Sequence, residues 1–299
     1  MLLISPVAIT PGMVTASNAG SSDADYSAAI SYALGQRVYL PADGRTYECV
    51  QEPALDKYPP SNPLHWMPAA PSNRWAMWDA DVSTASVTTS GSLTATVQPP
   101  ARYNAVSFHG LAGKRIDVVQ KSAAGNVLWS GSKILSSGSD SWYQYFFGER
   151  DQVREAVFTG LVPYVGSTLE VEITGSPAAC AAVVLGNSRD IGCAQYGFTS
   201  SIIDYSRKET ASDGTQRLAK GRYSRRMSGT LVQQRSQFNA IQRALEGVRA
   251  TPCVWVGVED SGDYEPLTIL GFYRDFQIEV SYPNHHLCSL EIEGLSDIN

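Results

Sequence analysis

Residues 92–120, "SLTATVQPPARYNAVSFHGLAGKRIDVVQ", decide the fold class. Three short strand-like runs follow one another here, "SLTATVQ", "YNAVSFHGL" and "RIDVVQ", with Pro and Gly between them and no helical periodicity. Working outward, the same rhythm continues through "NVLWS", "WYQYFFG", "REAVFTGL", "TLEVEITG" and "AACAAVVLG", spaced roughly ten residues apart. About eight such runs, broken by Gly, Ser, Asp or Pro turns, predict a jelly-roll-like β-sandwich over residues 71–189. In "WYQYFF" strand alternation sends Trp142, Gln144 and Phe146 one way and Tyr143, Tyr145 and Phe147 the other. Both faces are then largely apolar, which predicts a buried strand.

Upstream, residues 1–70 read as a small β module. "QRVYL" and "RTYECV" alternate on either side of "PADG", and Asp43-Gly44 between alternating runs is a strong hairpin signal. A Pro-rich loop, "PALDKYPPSNP", leads to Trp66. So few short strands fold only if aromatic rings fill the centre, and Tyr39, Tyr47 and Trp66 are the obvious fillers. Tyr32, Tyr47, Trp66, Trp75 and Trp78 are also the candidate carbohydrate-binding rings, since exposed rings stack on sugar faces. For Tyr47 and Trp66 the core role is favoured. "PAAPSNRWAMWDA" marks the boundary into the sandwich.

Downstream, residues 190–299 predict an α+β unit. Two long strand-like stretches meet around Asp213-Gly214, and "SQFNAIQRALEGV" is the clear helix. Phe238, Ile241, Leu245 and Val248 share one helical face, with Ser236 at the N-cap and Gly247 at the end. Strands return with "PCVWVGV", "LTILGFYRDFQIEV" and "LCSLEIEGL", giving a sheet with one helix laid on it. The fold class is therefore mainly β: small module, sandwich, then the α+β unit.

The chain has 299 residues and net charge −6, with 43% hydrophobic and 17% charged residues, a folded composition and no overall nucleic-acid signature. The average hides an asymmetry. Residues 201–250 hold ten Lys/Arg against four Asp/Glu, so this window is +6 and the rest of the chain −12. Arginine outnumbers lysine there by eight to two, which favours bidentate pairing with carboxylates. Arg207, Lys208, Arg217, Lys220, Arg222, Arg225 and Arg226 are the candidate subunit-interface residues, on a hairpin arm able to reach a neighbour.

Five cysteines without a C-x-x-C, and four histidines with only His285 and His286 adjacent, fit no common metal site. Cys180, Cys253 and Cys288 lie in apolar runs that suit buried thiols. The segment "MLLISPVAITPG" lacks a basic n-region, and no apolar run is long enough to span a bilayer. There is no phosphate loop and no G-x-S-x-G elbow. The expectations are no catalytic residues, no metal and no cofactor.

The stretch Tyr32-Ala33-Leu34-Gly35-Gln36-Arg37-Val38, with Tyr47-Glu48-Cys49 and closing Trp66, resembles small chitin- and cellulose-binding modules that are also attached to phage tail proteins. "SNRWAMWDA", the sandwich, and then "DYSRK…DGTQRLAKGRYSRRM…RALEGVRATPCVWVG…GFYRDFQIEV…CSLEIEGL" resemble tail-tip or baseplate structural proteins of long-tailed bacteriophages, of the distal-tail or hub-associated type. The resemblance implies a non-enzymatic virion protein at the tail tip, assembled in the host cytoplasm. It implies a three- or sixfold homo-oligomeric ring meeting tail tube, hub and fibre proteins, and a decoration turned toward host-surface polysaccharide. It implies no direct contact with nucleic acid and no membrane insertion. An iron–sulfur cluster, carried by some tail-tip proteins, would require Cys180, Cys193, Cys253 and Cys288 to meet. The alternative is a secreted carbohydrate-active enzyme or lectin-like polysaccharide-binding protein.

Overall fold

The computed structural model describes the chain except residues 22, 53, 90, 137–141, 148–151, 211–213, 259–264, 281 and 296–299. The organising element is the first strand, Leu2–Pro6. It pairs antiparallel with Ala182–Asp190 on one side and with Cys253–Val256 on the other, so Ile4 lies between Ser188 and Val254. Its run of Leu, Leu and Ile suits a strand covered on both faces, and Leu3 and Ile4 are wholly buried.

This strand joins two groups of strands into one ten-stranded sheet. The order runs Ala156–Thr159, Ala105–His109, Ala182–Asp190, Leu2–Pro6, Cys253–Val256, Thr268–Glu279, His285–Gly294 and Tyr223–Gln234. Cys193–Ala194 and Thr199–Asp204 both pair along the far side of Tyr223–Gln234. The sheet curls, so that Glu155, beside its first strand, reaches Arg225 near its last. Boundaries at 70/71 and 189/190 therefore do not follow the pairing. The first strand bridges the two larger units, and Val14–Ser17 pairs with Ser92–Val97 of the sandwich.

The sandwich forms where one end of the large sheet faces a five-stranded sheet, ordered Val127–Ile134, Arg115–Lys121, Thr168–Thr174, Ser92–Val97 and Val14–Ser17. Alternation works as expected: Leu93, Ala95 and Val97 point inward, as do Leu169, Val171 and Ile173 on the paired strand. They close on Tyr103, Phe108 and Val183. Full burial of each large aliphatic chain contributes about 1.5–3 kcal/mol.

"WYQYFF" departs from expectation. Trp142–Phe147 is a short helix, α1, and Trp142, Tyr143, Phe146 and Phe147 are 65–78% exposed. A run of bulky residues satisfies a period of 2 and of 3.6 equally over six positions, so alternation had no discriminating power there. The Tyr145 side chain lies outside the described residues.

On the other half of the sheet, the second helix, α2 (Phe238–Gly247), packs Ile241 and Leu245, with Val248 just beyond its end, against Met227, Leu231, Trp255, Cys288 and Leu290. Tyr273 Oη donates to the Leu245 carbonyl at 3.1 Å and pins the end of the helix. Ser236 is not the N-cap. It sits inside a 3-10 turn, Arg235–Gln237, and the capping position, Gln237, makes no side-chain cap bond.

The small sheet has three strands, Arg37–Leu40, Arg45–Cys49 and Trp66–Pro71. The Asp43-Gly44 turn joins the first two, and Gly44 adopts φ +70, where a side chain would be strained. A Cβ there would also sit 2.6 Å from the Trp75 ring.

Candidate functional site

The aromatic residues of the small sheet fill its centre. Tyr32, Tyr47 and Trp66 are 7%, 7% and 1% exposed, and Tyr32 meets Trp66 edge-on at 5.3 Å. Trp66 Nε1 donates to the Lys57 carbonyl at 2.7 Å, and Tyr47 Oη donates to Asp43 Oδ2. Burial, with Asp43 beside it, pushes the Tyr47 phenol up to about 12. Trp78 is 6% exposed in the sandwich core, and the half-buried Trp75 covers Gly44. Tyr32, Tyr47, Trp66 and Trp78 offer no open ring face of the kind sugar stacking needs, which corrects the place of these four in the carbohydrate-binding set.

The basic residues divide into two groups. Arg207–Thr210 and Gln216–Ala219 form a two-stranded hairpin separate from every other sheet, with Arg207, Lys208 and Arg217 fully on its surface. Lys220 and Arg222, at its base, are exposed too. Gly214 takes φ +85 in the turn, while Asp213 lies outside the described residues. This is the expected arm. Arg225 and Arg226 do not belong to it, which corrects that part of the interface set. Arg226 is ion-paired to Glu291 within the chain, and Arg225 NH1 contacts Glu155 Oε1 at 2.6 Å. Burial disfavours the Arg225 cation, but Glu155, Tyr223 and Glu265 outweigh it and hold the guanidinium pKa above its ordinary value.

The Glu155–Arg225 pair closes the seam between the two ends of the curled sheet. Glu265 adds a second clasp, Oε1 accepting the N–H groups of Arg154 and Glu155 at 2.7 and 3.0 Å. Beneath the pair, a cavity of about 50 Å³ is lined by His109, Arg154, Arg225, Thr268 and Leu295 among others. Ser107 Oγ stands 2.8 Å from His109 Nε2, and His109 Nδ1 stands 4.0 Å from Glu155 Oε1. The order imitates a Ser–His–acid relay. Ser107 is wholly buried, however, and 4.0 Å is too long for a hydrogen bond, so the three groups are not joined as a relay. Glu155 Oε2 is buried without a hydrogen-bond partner.

Above the seam opens a larger cleft of about 630 Å³. Ser200, Ile202 and Asp204 form one wall, Gln152, Arg154 and Glu265 the other, and Lys220, Tyr223 and Arg225 are among the remaining lining residues. The Ser206 hydroxyl and N–H hold the Asp204 carboxyl below the usual carboxylate range. No sequence pattern pointed to this cleft, because its walls come from segments some 50 to 110 residues apart. The one available signal was the run of unprotected small and apolar residues in "TSSIID".

The four cysteines that an iron–sulfur cluster would require do not come together. Cys180 lies in the sandwich core and Cys253 and Cys288 in the core under α2, while Cys193 is exposed. Burial pushes the Cys180, Cys253 and Cys288 thiols up to about 12. Among the described residues no three His, Cys, Asp or Glu side chains converge as metal ligands, and no helix is long and apolar enough to cross a membrane. No family model matches this chain, and no curated protein sequence matches it.

Proposed function

We propose that this chain is a structural component of a phage tail tip or baseplate, which assembles into an oligomeric ring through its basic arm. The observation that carries the reading is the hairpin of Arg207–Thr210 and Gln216–Ala219. It has no core of its own, and a two-stranded ribbon is marginal in water unless it docks on something. Its exposed Arg207, Lys208 and Arg217, with Lys220 and Arg222 at the base, suit a carboxylate-bearing surface, and the −12 carried outside residues 201–250 supplies one on a neighbouring copy. The buried rings of the small sheet give no support to a lectin-like role. They leave that sheet as a compact decoration inserted between Val14–Ser17 and the sandwich.

Mass photometry of the purified chain at low and high salt tests this. The expected result is a three- or sixfold species that dissociates as salt rises. Reversing Arg207, Arg217 and Arg222 to Glu is expected to leave a monomer with unchanged circular dichroism and melting. A wild-type chain that stays monomeric at low salt, or a reversed chain that assembles normally, overturns the proposal.

A further inference from the structure

The short helix α1 carries the densest exposed aromatic surface of the described residues. Trp142, Tyr143, Phe146 and Phe147 are 78%, 74%, 65% and 75% exposed, and none of them belongs to a hydrophobic core. A spacing of four sets the rings in two pairs. Trp142 stacks on Phe146 with centroids 6.1 Å apart, and Tyr143 meets Phe147 at 5.3 Å. Six residues fall far short of the roughly 12–15 that hold a helix unaided in water, and these rings reach no core that would make up the difference. So much ring surface in one place marks an interaction site.

Charge and ring chemistry select the occupant. In sequence, Asp140 and Glu149 each stand two residues from an end of the helix, so covalent length alone keeps their charge beside it. With Asp151 against Arg150, residues 140–151 carry −2. That sign repels an anionic lipid surface. It attracts a guanidinium, which also lies flat on aromatic faces as an ammonium does not. The arm presents such groups: Arg207 pairs with Ala219 and Glu209 with Arg217, which puts both arginines on one face of the ribbon. Several other acids of the chain already hold a cation of their own, among them Glu48, Asp117, Glu170, Glu291 and Glu293. The rings and the arm's cations are both open to solvent, so they do not cover each other within one chain.

We propose that α1 is the surface on which the basic arm of a second copy docks, with Arg207 and Arg217 laid over its ring pairs and its flanking acids beside them. This rests on the assembly reading and deepens it, since it names what the arm meets. Trp, Tyr and Arg are the residue types that carry most binding energy where they are desolvated together. Because the two patches differ, the contact is heterologous, and its repetition closes a ring where the rotation allows. Two elements too small to be stable alone, the ribbon and the short helix, then support each other across the contact.

The test is mass photometry at low salt on three variants of the full chain. The first is the arm-reversed chain. The second carries Trp142→Gln, Tyr143→Gln, Phe146→Gln and Phe147→Gln together. The third carries Arg207→Lys and Arg217→Lys, which keep the charge and lose the flat stacking group. The first two are expected to be monomers when alone. Mixed in equal amounts they should form dimers and nothing larger, because the mixture holds one intact arm and one intact α1 surface per pair. The lysine chain is expected to assemble about tenfold more weakly than wild type. It keeps the test decisive even where the glutamine chain fails to fold. A lysine chain that assembles as tightly as wild type overturns the proposal, as does a mixture of folded monomers that yields no dimer. A glutamine chain that assembles normally beside a monomeric arm-reversed chain overturns α1 docking, leaves the arm reading intact and frees the rings for a sugar or lipid. An arm-reversed chain that assembles normally overturns both.

Discussion

Two short strands of this chain, Leu2–Pro6 and Thr199–Asp204, have opposite fates. The first is paired along both edges and holds two wholly buried residues, Leu3 and Ile4. The second is paired along one edge and leaves Ile202 68% exposed at its centre. Each has an isoleucine in the middle of a strand five or six residues long. What differs is how many neighbours the backbone has. The doubly paired strand welds sandwich and helix-bearing half into one sheet, while the singly paired one has no second partner strand among the described residues.

Proline at the two isoleucines breaks or sharpens that contrast most strongly. Whichever neighbour the Ile4 N–H faces, a ladder strand is there to accept it, so Ile4→Pro removes a bond at the centre of the weld. The cost is about 3 kcal/mol or more, and insoluble protein is the expected outcome. Ile202→Pro removes an outward N–H that no strand among the described residues pairs with, and the position resembles the edge sites where proline is tolerated. Urea denaturation should place the second variant within about 1 kcal/mol of wild type. Comparable losses in both would mean that the weld is not central or that the ladder phase is inverted.

The seam supplies a second contrast, between paired and unpaired arginines. Glu155→Ala leaves Arg225 half-buried without its carboxylate and should cost about 2–3 kcal/mol, whereas Arg207→Ala on the arm should cost nothing measurable in the monomer. Equal effects would show that the seam pair is no clasp. The weld also predicts how the protein meets alkali. The Cys180, Cys253 and Cys288 thiols rise from 9.0 to about 12 on burial, so above pH 9 the unfolded chain releases these protons before the folded chain does. Stability is therefore full below pH 9 and falls as pH climbs toward 12, by about 1.4 kcal/mol per pH unit for each thiol. Cys180→Ala, made in the sandwich core, should reduce the slope by one thiol's share. It should also delay loss of the α2 signal, because both halves unfold as one. Separate alkaline transitions for the two halves would contradict the shared sheet.

Much of the strand content was legible because half-buried strands alternate, as Leu93, Ala95 and Val97 do. The hairpin at Asp43-Gly44 was legible because few residues tolerate φ +70. The apolar face of α2 was legible because four residues repeat at helical spacing. The weld was not: Leu2–Pro6 is a short apolar run whose partners lie roughly 180 and 250 residues away, and nothing local names them. Likewise, no sequence pattern tells Arg225, clasped by Glu155, from Arg222, which is exposed. Only the fold brings a carboxylate to one and not the other. The candidate sugar-binding rings failed for a related reason. A unit as small as the three-stranded sheet has little other apolar material to bury, so Tyr32, Tyr47 and Trp66 join Val38, Leu40, Cys49 and Ala54 in its core.

A small effect on the isolated chain is also expected at the open edge itself. Ile202→Lys places a charge where natural edges carry one, on a side chain already 68% exposed. It removes little buried area and breaks no hydrogen bond among the described residues, so the unfolding free energy should shift by less than about 0.5 kcal/mol in either direction. The variant therefore reads the exposure of the edge directly, and unchanged stability is the expected result. A large drop in stability on Ile202→Lys would mean that the edge is covered within the folded chain, and the difference drawn between the two strands would collapse.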